Sequence, residues 1–143
     1  MIIIFFFSIG KTLQVISFLL VLFERFAICG PHLIVMPLSV MNSWKGDLAK
    51  FVEGDIFNVC VHHGEKGVRE EAFLTWIQGI QQKRSQGDRI NLVLTSYELA
   101  INDSELLRKL RRGPNQWEYL VVSNASTTKL ALIQIKFLQF IRF

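Results

Sequence analysis

The residues with the most evident chemical potential are Gly10, Lys11 and Thr12, which lie between two apolar runs. A glycine lets the backbone approach a phosphate closely, a lysine supplies positive charge to the β and γ phosphates, and a threonine hydroxyl commonly binds magnesium. A helix starting here would add free N–H groups and the positive end of its dipole. The pattern predicts a phosphate-binding loop, although Phe5 stands where the full pattern has another glycine, and an ordinary helix start is the alternative.

Length and composition indicate one globular domain or a piece of one. The chain has 143 residues, half of them apolar, and a net charge of +4 that permits a polyanionic partner without requiring one. The basic cluster at residues 108–112 is typical of a solvated helix end, with a phosphate contact as the alternative. Cys29 and Cys60 lack C-x-x-C spacing, so we expect reduced, buried thiols, as in an intracellular protein.

Apolar residues dominate residues 2–7 and 13–23, which raises the question of a membrane. Each run is too short to span a bilayer, and Lys11 separates them. A signal peptide would carry basic residues before its apolar run, and only Met1 precedes this one. Membrane insertion is therefore not the favoured interpretation.

Strand and helix patterns alternate along the chain. Strands are predicted at residues 1–7, 32–36, 56–62, 90–95 and 119–122. Helices are predicted at residues 12–27, 40–51 and 65–84, with a fourth opening at residues 102–104. Gly30-Pro31 should end the first helix, and residues 113–115 should close the fourth. This alternation predicts an α/β layered fold with a mainly parallel sheet.

Two helices show apolar faces, and Ser39 is a good N-cap for the second helix. The second helix places Trp44, Leu48 and Phe51 on one face. The third carries apolar residues at helical spacing, namely Val68, Ala72, Trp76 and Ile80.

Loops after parallel strands are the expected place for a ligand. The loops at Ser8, Pro37 and Thr95 would lie together at the carboxyl edge of the sheet. His62 and His63 lack a further histidine or cysteine at ligand spacing, so we interpret them as a strand end rather than a metal site.

Five segments together resemble the first RecA-like lobe of a Swi/Snf-type ATPase, a helicase superfamily two motor of chromatin remodellers. They are GKTLQ at 10–14, GPHLIVMPLSV at 30–40 followed by Trp44, HG at 63–64, LTSYEL at 94–99 and WEYLVV at 117–122. The resemblance is nearest the chromodomain-helicase-like subfamily. It implies a partial RecA-like P-loop lobe at residues 1–122, with helices on both faces of the sheet, and a divergent apolar tail at residues 123–143.

The resemblance also implies functional residues and partners. Gly10, Lys11 and Thr12 match the ATP-phosphate loop, and Thr12 would be the magnesium ligand. Two further motifs match segments that contact the DNA backbone, namely Pro37, Leu38, Ser39 and Thr95, Ser96, Tyr97. The implied partners are ATP, Mg²⁺, duplex DNA or nucleosomes, and remodeller subunits, in the nucleus. Taken without the resemblance, Ser39 is typical of a helix cap and Tyr97 of core packing.

The sequence departs from the family pattern at both ends. Residues 5–8 are Phe-Phe-Phe-Ser where the family has an acidic pair and a glycine. Residues 123–126 are Ser-Asn-Ala-Ser where it has an acidic motif that holds magnesium and orients water, and no Asp or Glu follows Val122. A second RecA-like lobe, which would supply arginines, does not follow either. We therefore expect this chain alone to hydrolyse ATP negligibly.

Two alternatives from other classes stay open. One is a non-enzymatic module that binds DNA or a protein, which predicts salt-sensitive DNA binding independent of ATP. The other is a small membrane-associated protein, suggested by the apolar residues before Phe23.

Overall fold

The computed structural model describes residues 2–5, 11–51, 54–82, 89–110 and 116–123. Its strands are β1 (Ile2–Phe5), β2 (His32–Met36), β3 (Phe57–His62), β4 (Ile90–Ser96) and β5 (Tyr119–Ser123). Its α-helices are α1 (Lys11–Phe26), α2 (Met41–Phe51), α3 (Lys66–Gln82), α4 (Tyr97–Asn102) and α5 (Ser104–Leu107). Short 3-10 helices span Leu38–Val40 and Arg108–Leu110.

The strands form one parallel sheet in the order β1-β5-β2-β4-β3. The central strand β2 is buried along its whole length, as expected for a strand covered on both faces. The predicted α/β fold with a mainly parallel sheet is confirmed, and it is the fold of a RecA-like lobe.

Helices cover both faces because neighbouring strand residues point to opposite sides. On one face, Leu33 and Val35 of β2 pack with Phe73 of α3, Tyr97 of α4 and Leu107 of α5. The opposite face joins alternate strand residues to α1 and α2, and its buried members include Ile16, Leu19, Ile34, Met36, Trp44 and Leu48. The predicted burial of Trp44 and Leu48 on one face of α2 is confirmed, and the side chain of Phe51 lies outside the described residues.

Helix α1 ends at Phe26, within one residue of the predicted end at residue 27. Ala27 has a positive φ of 54°, and its N–H donates to the carbonyl of Phe23 at 3.1 Å. This is the hydrogen-bond pattern of a helix cap with one left-handed residue, a position usually held by glycine. The predicted bounds of the helix are therefore confirmed within one residue, but Ala27 rather than Gly30-Pro31 ends it.

The buried stripe of α3 also differs from the prediction. Arg69, Phe73 and Ile77 are its buried residues, whereas Val68 is 63% exposed and Ala72 is exposed. The stripe is shifted by one position because Arg69 finds a partner inside the fold, which its residue type alone does not indicate. The chain is also helical from Tyr97, before the predicted helix opening at residues 102–104.

Some predictions fall outside the described residues, namely the loop at 85–88, the helix end at 113–115 and the tail from 124 onward. Among the described residues, no helix is long and apolar enough to cross a membrane. Both cysteines are free thiols. Burial raises the pKa of Cys60 to about 11, whereas Cys29 is only half-buried, so the prediction of burial is confirmed for Cys60 alone.

Candidate functional site

The carboxyl ends of the five parallel strands lie at one edge of the sheet, termed here the loop edge. The register places Met36 of β2 beside Ser96 of β4, and Phe5 of β1 beside Ser123 of β5. The described parts of the three predicted phosphate and DNA segments begin at Lys11 after β1, at Pro37 after β2, and at Thr95 in the last residues of β4. The strand order therefore brings these described parts to the same edge, where ligands bind in sheets of this kind.

The predicted phosphate loop is described from Lys11, the first residue of α1, and Gly10 lies outside the described residues. Thr12 is half-buried in the first turn of this 16-residue helix. Val15 and Ile16 anchor the helix in the core at 1% exposure. A helix start at the end of a strand suits a phosphate group, because the first-turn N–H groups have no partner within the helix.

Magnesium would need oxygen ligands beside this helix start. Strand β5 ends on Ser123 and contains no carboxylate, and Asn124 to Ser126 lie outside the described residues. In the described part of the chain, no group of three or more His, Cys, Asp or Glu side chains could hold a metal ion. The helix start thus fits a phosphate, β5 supplies no acidic magnesium ligand, and the role of Thr12 as a magnesium ligand stays a prediction.

The segment Pro37 to Ser39 leaves the sheet as an exposed turn. Pro37 precedes the 3-10 helix Leu38–Val40, and its carbonyl accepts the N–H of Val40 at 3.1 Å. Leu38 is 54% exposed and Ser39 is exposed. The prediction that Ser39 caps α2 is wrong, because Ser39 lies inside the 3-10 helix that directly precedes α2, and Pro37 is the N-cap of that 3-10 helix. The turn is open to a ligand, and its DNA role stays a prediction.

The segment Thr95 to Tyr97 has the opposite character, since its three hydroxyls bond inward. Thr95 donates to the carbonyl of His62 at 3.2 Å, and the Ser96 oxygen accepts the N–H of Leu99 at 3.3 Å. The Tyr97 hydroxyl donates to the carbonyl of Ser123, and burial raises its pKa to about 12. In this structure the hydroxyls of Thr95 and Tyr97 bond to the ends of β3 and β5, and the Ser96 hydroxyl caps α4. Their predicted contact with DNA stays a prediction.

A buried polar cluster at the same edge was missed by the sequence analysis. It consists of His62, Arg69 and Asp103 and is termed here the Asp103 cluster. The Arg69 guanidinium donates from Nε to Asp103 Oδ2 at 2.6 Å and from Nη2 to Oδ1 at 3.1 Å. His62 Nε2 lies 2.7 Å from the same Oδ2. The three side chains come from β3, α3 and the α4–α5 junction, so no local sequence pattern links them.

Charge in the cluster is balanced within the fold. The side chains of Arg69 and Asp103 are 9% and 5% exposed. Hydrogen bonds from Arg69, and then from His62, hold the pKa of Asp103 below its usual range, and the bond to Asp103 raises the pKa of Arg69. Asp103 is therefore a buried, ionised carboxylate whose two oxygens are already bonded to Arg69 and His62. This leaves it unsuited to binding magnesium.

Comparison with known proteins shows the family. The model of the SNF2-related domain matches residues 7–137, and the chain belongs to this family. The match covers the predicted phosphate loop, both predicted DNA segments and most of the tail. The division at residues 122 and 123 stays a prediction.

Individual relatives are helicases and a chromatin-remodeling ATPase. The chain is 33% identical over 122 residues to the ATP-dependent DNA helicase DDM1 of Arabidopsis thaliana, covering 85% of this chain and 14% of that protein. It is 31% identical to the helicase SWR1 of Debaryomyces hansenii and 28% identical to the chromatin-remodeling ATPase INO80 of Drosophila melanogaster. Those matches cover 85% and 89% of this chain and 7% of each relative. The Swi/Snf-type resemblance is confirmed, and the chromodomain-helicase-like assignment stays a prediction.

Proposed function

We propose that this chain is the nucleotide- and DNA-binding portion of an ATP-dependent DNA translocase that acts on chromatin in the nucleus. The observation that carries the proposal is the placement of Lys11 and Thr12 at the start of α1, on the loop edge, within the family match. The chain spans 14% or less of the relatives reported above, so the activity of the whole motor is part of the proposal.

ATP would be bound chiefly through its phosphates. The first-turn N–H groups of α1 would face the phosphates, Lys11 would add a positive charge, and the Thr12 hydroxyl would face the magnesium ion. The magnesium ion supplies charge neutralisation on the phosphates when bound. The buried face of α1 holds this helix start in a fixed place relative to the sheet.

DNA would lie across the neighbouring strand ends. The exposed turn at Leu38 and Ser39 offers a hydroxyl and backbone groups, which suit sequence-independent contact with a phosphate backbone. A motor that moves along any DNA sequence needs contacts of that kind. Duplex DNA or nucleosomes, and the other subunits of a remodeller, are the partners that this function implies.

Hydrolysis by this chain alone would be negligible. Strand β5 has no carboxylate, and residues 124–143 contain no Asp or Glu, so the residues that would orient the attacking water in the family pattern are replaced. The proposal is therefore ATP binding and DNA binding without appreciable turnover.

The test is ATP binding by the purified chain with magnesium, measured by calorimetry. Lys11→Ala removes the charge at the helix start, and we expect affinity to fall by about tenfold or more. Lys50→Ala is the matched control, because it removes the same charge from an exposed position in the last turn of α2, far from the loop edge.

The outcomes separate the alternatives. Saturable binding that is lost in Lys11→Ala and kept in Lys50→Ala supports the proposal. A folded chain that binds no ATP but binds duplex DNA in a salt-sensitive way would point to the non-enzymatic module instead. Phosphate release stimulated by DNA and abolished by Lys11→Ala would overturn the expectation of negligible hydrolysis.

A further inference from the structure

The Asp103 cluster connects three elements around the loop edge. His62 is the last residue of β3, Arg69 lies in the first turns of α3, and Asp103 lies between α4 and α5. Asp103 Oδ2 is shared by His62 and Arg69, at 2.7 and 2.6 Å. One carboxylate thus fixes the end of β3, the start of α3 and the end of α4 relative to one another.

The same contacts fix the loop between β3 and α3, residues 63–65. Arg69 Nη1 donates to the carbonyl of Gly64 at 2.8 Å, and Thr95 donates to the carbonyl of His62 at 3.2 Å. The loop is therefore bonded on both sides of His63, once to α3 and once to β4. His63 and Gly64 are exposed, and Gly64 has a φ of 97°. The hydrogen bond from Arg69 to the carbonyl of Gly64 therefore holds this left-handed residue in place.

A buried ion pair is an inefficient way to stabilise a fold. Removing two charges from water offsets most of their attraction, and apolar replacements of similar size are often neutral or stabilising. What a forked Arg–Asp pair adds is direction, since two parallel hydrogen bonds fix the angle between the elements that carry them. The geometry of this cluster therefore suits a positioning role better than a stabilising one.

We infer that Arg69 and Asp103 are positioning residues that hold the 63–65 loop beside the Thr95–Tyr97 segment, so that both belong to one rigid DNA-binding edge. The inference rests on the proposed function for the ligand, which is the phosphate backbone of duplex DNA. The groups offered to phosphates would be His63 in the loop and Lys66 at the start of α3, both of them exposed. The acidic Glu65 lies between them, and Glu70 lies 3.9 Å from the Lys66 ammonium, which is 73% exposed. DNA affinity then depends on buried residues that do not contact DNA.

The test compares Asp103→Asn with Glu105→Gln. Both replace a carboxylate by an amide two residues apart, but Glu105 forms an exposed pair with Arg108, 2.7 Å long, and is 82% exposed. Arg69→Lys is the second variant, because it keeps the positive charge and loses the pair of parallel hydrogen bonds to Asp103. It also keeps the test informative if Asp103→Asn does not fold. Each variant is studied as the full chain, well below its unfolding temperature.

Hydrogen exchange supplies the first readout. In Asp103→Asn and Arg69→Lys we expect exchange of the hydrogen-bonded amides of His63 and Leu99 to rise by about tenfold, with the core amides of β2 and β4 unchanged. Glu105→Gln should leave both amides unchanged. Equal exchange in all three variants, or a uniform rise across the sheet, would overturn the positioning role.

Affinity for a blunt duplex of mixed sequence supplies the second readout. We expect about a fivefold loss in Asp103→Asn, a smaller loss in Arg69→Lys, and a lower slope of log affinity against log salt, because fewer phosphates are contacted. A salt slope and affinity equal to those of the parent would overturn the link to DNA even if exchange had changed. If the parent chain binds no duplex, the proposed function fails, whereas the exchange comparison still decides whether the cluster positions the loop.

Discussion

Each edge of the sheet contains a buried histidine, and the two histidines differ in their hydrogen bonds. At the loop edge, His62 pairs through Nε2 with Asp103, whereas its Nδ1 has no partner among the described residues. The Thr95–Tyr97 hydroxyls beside it are paired, and the turn at Leu38 and Ser39 is exposed. At the opposite edge, where strands begin, His32 is fully buried and both of its ring nitrogens lack a partner among the described residues. The loop edge thus combines hydrogen-bonded polar groups with exposed polar surface. The opposite edge, termed here the closed edge, buries its histidine without a hydrogen-bond partner in the described part of the chain.

The closed edge is held mainly by backbone contacts. The N–H of Asn91 donates to the carbonyl of Cys29 at 2.8 Å, and the N–H of Glu118 donates to that of Pro31 at 2.9 Å. These bonds bring the starts of β4 and β5 against the chain that enters β2. The contrast teaches that exposed polar groups beside hydrogen-bonded buried ones mark a candidate site better than the number of polar residues does.

The largest expected effect is at Gly30 of the closed edge. Gly30 has a φ of 87°, and a Cβ there would lie 2.7 Å from the carbonyl oxygen of Asn91 and 2.9 Å from the His32 ring. Gly30→Ala should therefore lower the free energy of unfolding by about 3 kcal/mol, through left-handed strain and overpacking. Urea denaturation measures the change.

Gly54→Ala is the matched control for that substitution. Gly54 has a similar φ of 83°, but a Cβ there meets nothing within 4 Å in the described structure. Only the backbone strain of about 1 kcal/mol should remain. Equal losses in the two variants would contradict the close approach at the closed edge.

The next effect is a pH dependence from His32. Burial lowers the pKa of His32 to about 4 from 6.5, so the folded state keeps this ring neutral where the unfolded chain binds a proton. Between pH 6.5 and 4 the unfolded state therefore gains protons first, and the stability of the fold should decrease by about 1.4 kcal/mol per pH unit toward acid. Denaturation midpoints at several pH values measure it.

His32→Leu isolates this contribution, since a leucine cannot titrate. We expect the variant to lose most of the slope between pH 6.5 and 4 while the carboxylate contributions below pH 4 remain. A slope unchanged by the substitution would show that another group is responsible and that the closed edge does not exclude a proton.

The sequence predicted the fold and the edge at which the candidate residues lie. Both follow from the hydrophobic pattern of each segment and from the order of strands and helices along the chain. Continuous apolar runs such as residues 32–36 predicted buried strands, and alternation with helices predicted a parallel sheet. The resemblance then identified the segments at the loop edge. These features depend on neighbours in sequence, which a single chain displays directly.

The polar contacts could not be predicted in the same way. Arg69 and Asp103 are 34 residues apart, and each looks like a surface residue until the fold brings it to its partner. The hydroxyls of Thr95 and Tyr97 have the residue types of a DNA contact, yet their acceptors are carbonyls of other strands. Likewise Ala27 ends α1 because the chain must turn there, although alanine carries no signal for a left-handed conformation.

The smallest expected effect is at Tyr97, where the two interpretations of the loop edge diverge. Tyr97→Phe keeps the buried ring and removes only the hydrogen bond to the carbonyl of Ser123. Stability should fall by about 1 kcal/mol, because a buried acceptor loses its partner. Tyr119→Phe is the control, since the structure records no hydrogen bond from the Tyr119 hydroxyl to any residue it describes.

Affinity for DNA decides what that bond does. If the hydroxyl only ties α4 to the end of β5, Tyr97→Phe should weaken duplex binding by less than about twofold at a temperature where the chain is folded. A loss of tenfold with stability unchanged would mean that the hydroxyl leaves Ser123 to contact DNA. The loop edge would then be a surface that rearranges on binding, and the contrast with the closed edge would lie in mobility rather than in polar pairing.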